Sequence, residues 1–341
     1  ATSTTQQLID YFLEKTTEIA AGPAASNIYF VDPESQDLIC QGWYPPAPDL
    51  VGLSLPMGKG ITGHVAQTGE IYFTDDLSKD PKALILPLEA ARLNPARGNI
   101  SLPLRSQDCV IGVMHIVLYE RHIFTEEEVR LLTAVSEIAG SALVHSRTQE
   151  KLEENFVQTV LALVNTVDAR DQYTNNHSQR LASWAEKIAV QLGCSAEETL
   201  SIYWGALLHD LGKIGIPDDI LLKVGPLSED EWAIIKRHPQ IGAEIIAPIK
   251  SLENVVPIIR AHHEKYDGTG YCAGLKGEEI PIGARIIAVV DAYGAITEDR
   301  SYREGRSHLE AIAEIKRCAG TCFDPQIVEI FASFFSEDLS K

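Results

Sequence analysis

The chain is 341 residues long, enough for two domains that each fill a core of their own. Its 45% hydrophobic content and mean hydropathy of −0.04 are those of an ordinary globular protein, and no run approaches the roughly 18 apolar residues of a membrane span. A formal net charge of −19 argues against a general binder of nucleic acid or of an anionic membrane, but not against a small anionic ligand held by metals and a few local cations.

The opening stretch, residues 1–7, has no basic segment followed by an apolar one, so no signal peptide is expected in it. Residues 1–125 mix strands and short helices. Ser26–Val31 and Leu38–Tyr44 read as strands joined by a turn at Asp32-Pro33-Glu34-Ser35. Ile100–Leu104 and Val110–Val117 read as a second pair, turning near Ser106-Gln107-Asp108. Gly58–Val65 reads as a Gly-capped start to a short helix.

From Thr125 the period becomes helical. Thr125 is an N-cap followed by three acids, Glu126, Glu127 and Glu128. Val135, Ile138 and Ala142 continue at spacings of 3 and 4, as do Phe156, Val160, Leu163 and Val167. This predicts a long connecting helix over about residues 126–170, with residues 146–151 as the place where it would break. Two readings stand open: an amphipathic helix that packs on each domain, or a parallel homodimer seam that transmits a signal. Beyond residue 150 almost every segment reads as helix. The six cysteines include no Cys-x-x-Cys pair, Cys318 and Cys322 being four apart, so a reduced, cytoplasmic setting is expected.

Seven residues suggest a metal site: His177, His209, Asp210, His238, His262, His263 and Asp291. A lone helical histidine is usually a packing or surface residue, so the case rests on context. His209-Asp210 follows the apolar stretch Ile202–Leu208, His262-His263 follows Val255–Ala261, and Asp291 follows Ile286–Val290. Polar groups at the ends of buried segments are costly unless paired, and a metal pairs them. Lys213, three residues after Asp210 and four after His209, is placed to share their helical face. Imidazole and carboxylate without thiolate suit iron, manganese, nickel or zinc. Five histidines and two aspartates exceed what one ion takes. They suit two ions that share a bridging carboxylate and hydroxide, an arrangement that cleaves phosphodiesters.

These residues, in this order, resemble the HD-GYP branch of the HD phosphohydrolases over about residues 155–335. The carriers are His209–Pro217, Leu221–Leu227, Lys236–Pro239, His262–Tyr271, Ile280–Ile286 and Asp299–Arg303. The resemblance implies an all-helical domain around a two- or three-metal centre, usually containing iron, that hydrolyses cyclic di-GMP to pGpG or GMP. It implies metal ligation by the seven residues above and a phosphate-facing role for Lys213. Arg300 and Arg303 become phosphate or guanine contacts, surface salt bridging being the alternative. A diguanylate cyclase (GGDEF) domain becomes a possible partner. The alternatives in substrate and role are cyclic GMP-AMP, a linear dinucleotide, or a catalytically weak receptor.

Three positions depart from the family pattern. Tyr173 stands where three-metal members carry glutamate, and Asp171 falls on another helical face, so two metals are expected. The motif that names the family reads Gly270-Tyr271-Cys272 rather than Gly-Tyr-Pro, so a looser loop or altered partner contacts are expected. Gly294 stands where the family often has a second aspartate, which bears on substrate positioning rather than on the ligand set.

The N-terminal half resembles a GAF sensor domain over about residues 5–145. The carriers are Ile28–Pro33, Gly58–Val65, Asn99–Leu104 and Gly112–Ile116. The implied architecture is an α+β GAF domain, an antiparallel sheet flanked by helices, over residues 1–148. It is joined by the long helix to an all-α domain over 152–341. Such domains bind cyclic nucleotides, haem, tetrapyrroles or nothing, and the resemblance leaves the ligand open. For Cys40, Cys109, His64 and His115, strand packing is the expected role.

Overall fold

The central strands of the N-terminal half are buried along nearly their whole length, as a sheet covered on both faces requires. In the computed structural model, which describes residues 4–20, 22–84, 96–107, 109–170, 177–298 and 305–335, six strands form that sheet. They are β1 (Ala24–Val31), β2 (Leu38–Tyr44), β3 (Ser54–Leu55), β4 (Tyr72–Thr74), β5 (Asn99–Ser106) and β6 (Cys109–Leu118). Their order is β3-β2-β1-β6-β5-β4, every pairing antiparallel. The β1–β2 turn is held by Asp32, whose Oδ1 accepts the backbone N–H groups of Glu34 and Ser35, and Gln36 takes a positive φ of 59°.

One face of the sheet presents Ile28, Phe30, Leu102, Leu104, Met114 and Ile116 to helix α1 (Thr5–Ile19) and to Leu132, Ala139 and Leu143 of helix α3 (Glu126–Arg170). The other face presents Tyr29, Val113 and Val117 to helix α2 (Gly60–Thr68). Thr125 and Glu128 form the expected cap of α3, each side chain bonding the other's backbone N–H. The helix does not break at residues 146–151. That stretch has no Gly or Pro, Thr148 bonds the Val144 carbonyl, and Gln149 bonds Glu153 one turn on.

The chain divides into two compact units, residues 1–156 and 157–341. The described elements of the second unit are helical apart from one bridge between Ala319 and Phe323. They include α4 (His177–Gln191), α5 (Ala196–Leu208), α6 (Asp218–Leu221), α7 (Glu229–Ile235), α8 (His238–Ile246), α9 (Val256–Ala261), α10 (Ile282–Thr297), α11 (His308–Arg317) and α12 (Pro325–Ser333). Their core includes Leu181, Ile188, Ile202, Ile259, Ile287, Val290, Ile315 and Phe331, all at most 2% exposed. Asp291 follows an apolar run but does not end a helix. α10 continues six residues past it, because Tyr293 and Gly294 keep the core-facing stripe going.

Candidate metal centre

Three histidines reach the centre by one repeated device. His209 is the C-cap of α5 and His262 that of α9, while His238 stands three residues past the end of α7. Each uses its ring Nδ1 on the carbonyl three residues back: Ala206 at 2.7 Å, Ile235 at 2.8 Å and Ile259 at 2.7 Å. A carbonyl only accepts, so Nδ1 carries the proton in all three rings, and in the neutral rings of His238 and His262 the Nε2 is left with its lone pair. Nε2 of His238 lies 3.3 Å from Nε2 of His262. With His263 they form a trio whose ligand atoms all lie within 4.8 Å of one another. Two lone pairs face to face repel unless a cation stands between them. Two nitrogens each about 2.1 Å from one ion sit roughly 3 Å apart, so the trio fits a metal.

Asp210 ties His209 to this trio. Its Oδ2 lies 3.2 Å from His209 Nε2 and 2.7 Å from Lys213 Nζ, and its Oδ1 lies 3.4 Å from His238 Nε2. Asp291 approaches from α10, with Oδ1 4.0 Å from His209 Nε2. A buried carboxylate spread over two histidines is arranged as a bridge.

The electrostatics agree. Burial pushes His262 well below the usual imidazole range, His263 down to about 4, and His238 down, so all three are neutral lone-pair donors at neutral pH. Burial also works against protonation of His209, but the carboxylates of Asp210 and Asp291 outweigh it and hold this ring up at about 9. That corner of the site favours positive charge. Burial would raise Asp210, yet Lys213 and His209 keep it ionised well below the usual carboxylate range.

The structure thus gathers His209, Asp210, Lys213, His238, His262, His263 and Asp291. His177 opens α4 fully buried, its Nδ1 2.7 Å from Glu298 Oε2, which Arg180 also holds. It packs on α10, where a Cβ at Gly294 would meet its Cε1 at 3.1 Å. The small residue at 294 is therefore a seat for His177, three residues along α10 from Asp291. Arg300, Arg303, Tyr173 and Asp171 lie outside the described residues.

Several supporting residues escape sequence reading. Glu298 orients His177. Arg170 donates to the carbonyls of Lys213 and Ile216 and to Asp218, which fastens the Leu211–Gly215 turn that carries Lys213. Glu264, 3% exposed, accepts the N–H groups of Ala273 at 2.6 Å and Gly274 at 2.9 Å. The Tyr271 N–H reaches the His263 carbonyl, and the Tyr271 ring lies against the His263 ring, centroids 4.9 Å apart. An acid directly after two candidate ligand histidines was the available signal for Glu264.

The Gly270–Cys272 loop is not slack, contrary to what the missing proline suggests. Glu264 clamps it, and Cys272 adopts φ +106°. Proline, fixed near −65°, cannot take that conformation. Loss of proline therefore accompanies a different backbone path.

Residues 162–327 match the family model for the HD domain, and residues 2–144 match that for the GAF domain. The chain is a GAF domain followed by an HD domain. Among curated relatives, a cyclic di-GMP phosphodiesterase response regulator of Xanthomonas campestris pv. campestris is 40% identical over 184 residues, covering 53% of this chain and 49% of that protein. A cyclic di-GMP phosphodiesterase of Thermotoga maritima is 39% identical, covering 54% and 51%. A 3'3'-cGAMP-specific phosphodiesterase of Vibrio cholerae is 37% identical, covering 54% and 36%. The chain thus spans about half the length, or less, of these relatives. An HD domain implies divalent-metal binding, and no described helix is long and apolar enough to cross a membrane.

Proposed function

We propose that the HD domain is a metal-dependent phosphodiesterase that hydrolyses cyclic di-GMP to pGpG or GMP, under regulation by the GAF domain. The observation that carries this reading is the facing pair of lone-pair histidines, His238 and His262, beside a buried, ionised Asp210 that reaches both His238 and His209. His209, Asp210, His238, His262, His263 and Asp291 would hold the metal, with His177 completing the set. Seven such groups suit two ions, and their nitrogen and oxygen donors suit iron, with manganese as the alternative. Bound divalent ions supply Lewis acidity toward a phosphate oxygen and a lowered pKa for water. Asp210 bridges the two halves of the ligand set. Lys213, held at its Oδ2, brings a cation to where charge develops on the phosphate. Arg300 and Arg303 are proposed as further phosphate or guanine contacts.

The relatives named cyclic di-GMP phosphodiesterases support this substrate. The relative named for 3'3'-cGAMP supports a second reading, in which that dinucleotide is preferred. The test is chromatography of both dinucleotides after incubation with anaerobically purified, iron- or manganese-loaded chain. Faster conversion of cyclic di-GMP is expected. Faster conversion of cyclic GMP-AMP would establish the second reading, and conversion of neither would overturn both.

We also propose a homodimer along α3. Leu131, Ile138 and Leu152 fall on one seven-residue period, Phe156 and Leu163 on a companion row, and all five are exposed. A seven-residue apolar repeat is self-complementary, so a second copy covers it. Sedimentation should show a dimer that Ile138→Glu with Leu152→Glu converts to monomer; an unmodified chain that sediments as a monomer would contradict this. Six free cysteines fit a cytoplasmic setting.

A further inference from the structure

Cys318 and Cys322 stand four residues apart, too wide for a Cys-x-x-Cys pair. The fold nevertheless sets both on one closed turn. Cys318 is the C-cap of α11, and its carbonyl accepts the Cys322 N–H at 3.0 Å, an i to i+4 bond. The Gly320 N–H reaches the Phe323 carbonyl at 2.8 Å, and Gly320 takes a φ of +79° to let the chain double back. Both ends of the turn are anchored. The Cys318 N–H donates to the Glu314 and Ile315 carbonyls of α11. On the far side Asp324, 5% exposed, caps α12 through the Gln326 N–H and pairs with Arg285 at 2.6 Å.

A helical i to i+4 spacing separates two Cα atoms by roughly 6 Å, and a disulfide takes about 4.4–6.8 Å. The backbone is therefore already spaced for a bridge. Both thiols are free and partly exposed. Cys318 Sγ lies 3.8 Å from Glu314 Oε1, a contact weak enough to be given up. The neighbouring Arg317 guanidinium, held up chiefly by its bond to Glu314, also feels both sulfurs, so one cation faces the pair. A cation beside a thiol favours the reactive thiolate.

The same turn supports the loop that follows His262 and His263. The Thr321 carbonyl accepts the Asp267 N–H at 2.8 Å, and the Cys322 carbonyl accepts the Tyr266 N–H at 3.2 Å. That loop runs on to Tyr271, whose ring lies against His263.

We infer that Cys318 and Cys322 are a reversible oxidation site, which a hydroperoxide closes to a disulfide that braces the loop at residues 266–271. One sulfur, as thiolate, attacks a peroxide oxygen and becomes a sulfenic acid, while hydroxide leaves and takes up a proton. The other thiol attacks that sulfur, and water leaves with its proton. Two thiols and one hydrogen peroxide thus give one disulfide and two waters. In a reducing compartment, exchange with small thiols returns the pair to its reduced form.

The test treats the full chain with hydrogen peroxide, alkylates it with iodoacetamide and digests it with trypsin. Cleavage after Arg317 releases residues 318–341 as one peptide whose only cysteines are these two. The expected peptide is unalkylated and two hydrogens lighter than the dithiol, and dithiothreitol before alkylation restores both alkylations. In a glutathione redox buffer the folded chain should favour the bridge at least about tenfold more than the chain unfolded in guanidinium, because the turn has already closed the loop. Hydrogen exchange at the Tyr266 and Asp267 amides should slow on oxidation, and Cys322→Ser should abolish that response. Two alkylated thiols after peroxide, sulfinic acid in place of the bridge, or no preference of the folded chain would overturn the oxidation site. Unchanged exchange at Tyr266 and Asp267 would overturn the bracing. These results come from the unmodified chain and do not depend on the variant folding.

Discussion

His238 and His262 point their Nε2 atoms at one another across 3.3 Å, and each ring is fixed in that direction by a carbonyl on its far side. Neither ring can turn away without losing its Nδ1 bond inside a buried site. The repulsion is thus built into the apo fold, and a cation relieves it. This makes the pair the anchor of the proposed centre, with Asp210 reaching from it to His209.

Lys213 is the cation nearest the bridging carboxylate. Replacing it with Met keeps the length of the side chain and removes the charge. Turnover of cyclic di-GMP should fall about 10²–10³-fold. Metal content should stay within error of the unmodified chain, because Lys213 donates no lone pair. Loss of metal alongside activity would assign Lys213 to holding Asp210 rather than to the reaction.

Gly212 has no room for a side chain. A Cβ there would stand 1.9 Å from the His238 carbonyl oxygen and 2.5 Å from the Gly242 nitrogen, both backbone atoms that cannot step aside alone. Gly212→Ala should destabilise the HD domain by about 3 kcal/mol and displace His238. Denaturant unfolding of the second unit gives the first quantity, and metal content of the folded fraction reads the second.

The HD domain's candidate ligand residues were legible as a cluster because their signals are local. An apolar run followed by His-Asp or His-His is visible in a dozen residues, and so are the caps and turns of β1–β2 and of α3. What was not legible depends on partners distant in sequence. Glu298 meets His177 across 121 positions, and Arg170 meets the Lys213 turn across 43. The row Asn27–His115–Ser101 exists only once three strands are paired in register. Cys272 misled because missing proline was read as freedom, whereas Glu264 clamps the loop in a conformation proline cannot enter.

Cys272 therefore makes an opposed pair of variants. Cys272→Gly relieves a positive φ and should stabilise the HD domain by about 1 kcal/mol. Cys272→Pro, although it restores the family's motif, should break the Glu264 clamp, destabilise the domain and loosen Tyr271 from His263. Thermal unfolding of both variants decides this, and a stabilising proline would contradict the loop's observed path.

His115 couples the GAF domain's stability to pH. Burial lowers its folded-state pKa from 6.5 to about 3, so within that window the unfolded chain binds the proton better. Its contribution is fully present above about 6.5 and is lost as pH falls toward 3, at up to about 1.4 kcal/mol per pH unit. Asp76, held down at about 2 by Ser78 and then Arg121, acts only below about 3.8. His115→Leu should flatten the stability profile between about 6.5 and 4. An unchanged slope would show that His115 is already satisfied.

The account turns on metal held by the histidine pair. The most direct measurement is metal content by elemental analysis together with cyclic di-GMP turnover, on anaerobically prepared chain and on His238→Ala with His262→Ala. The account predicts two ions per unmodified chain with turnover, and loss of both metal and turnover in the variant with helical content retained. Turnover that survives in the metal-depleted variant would contradict it.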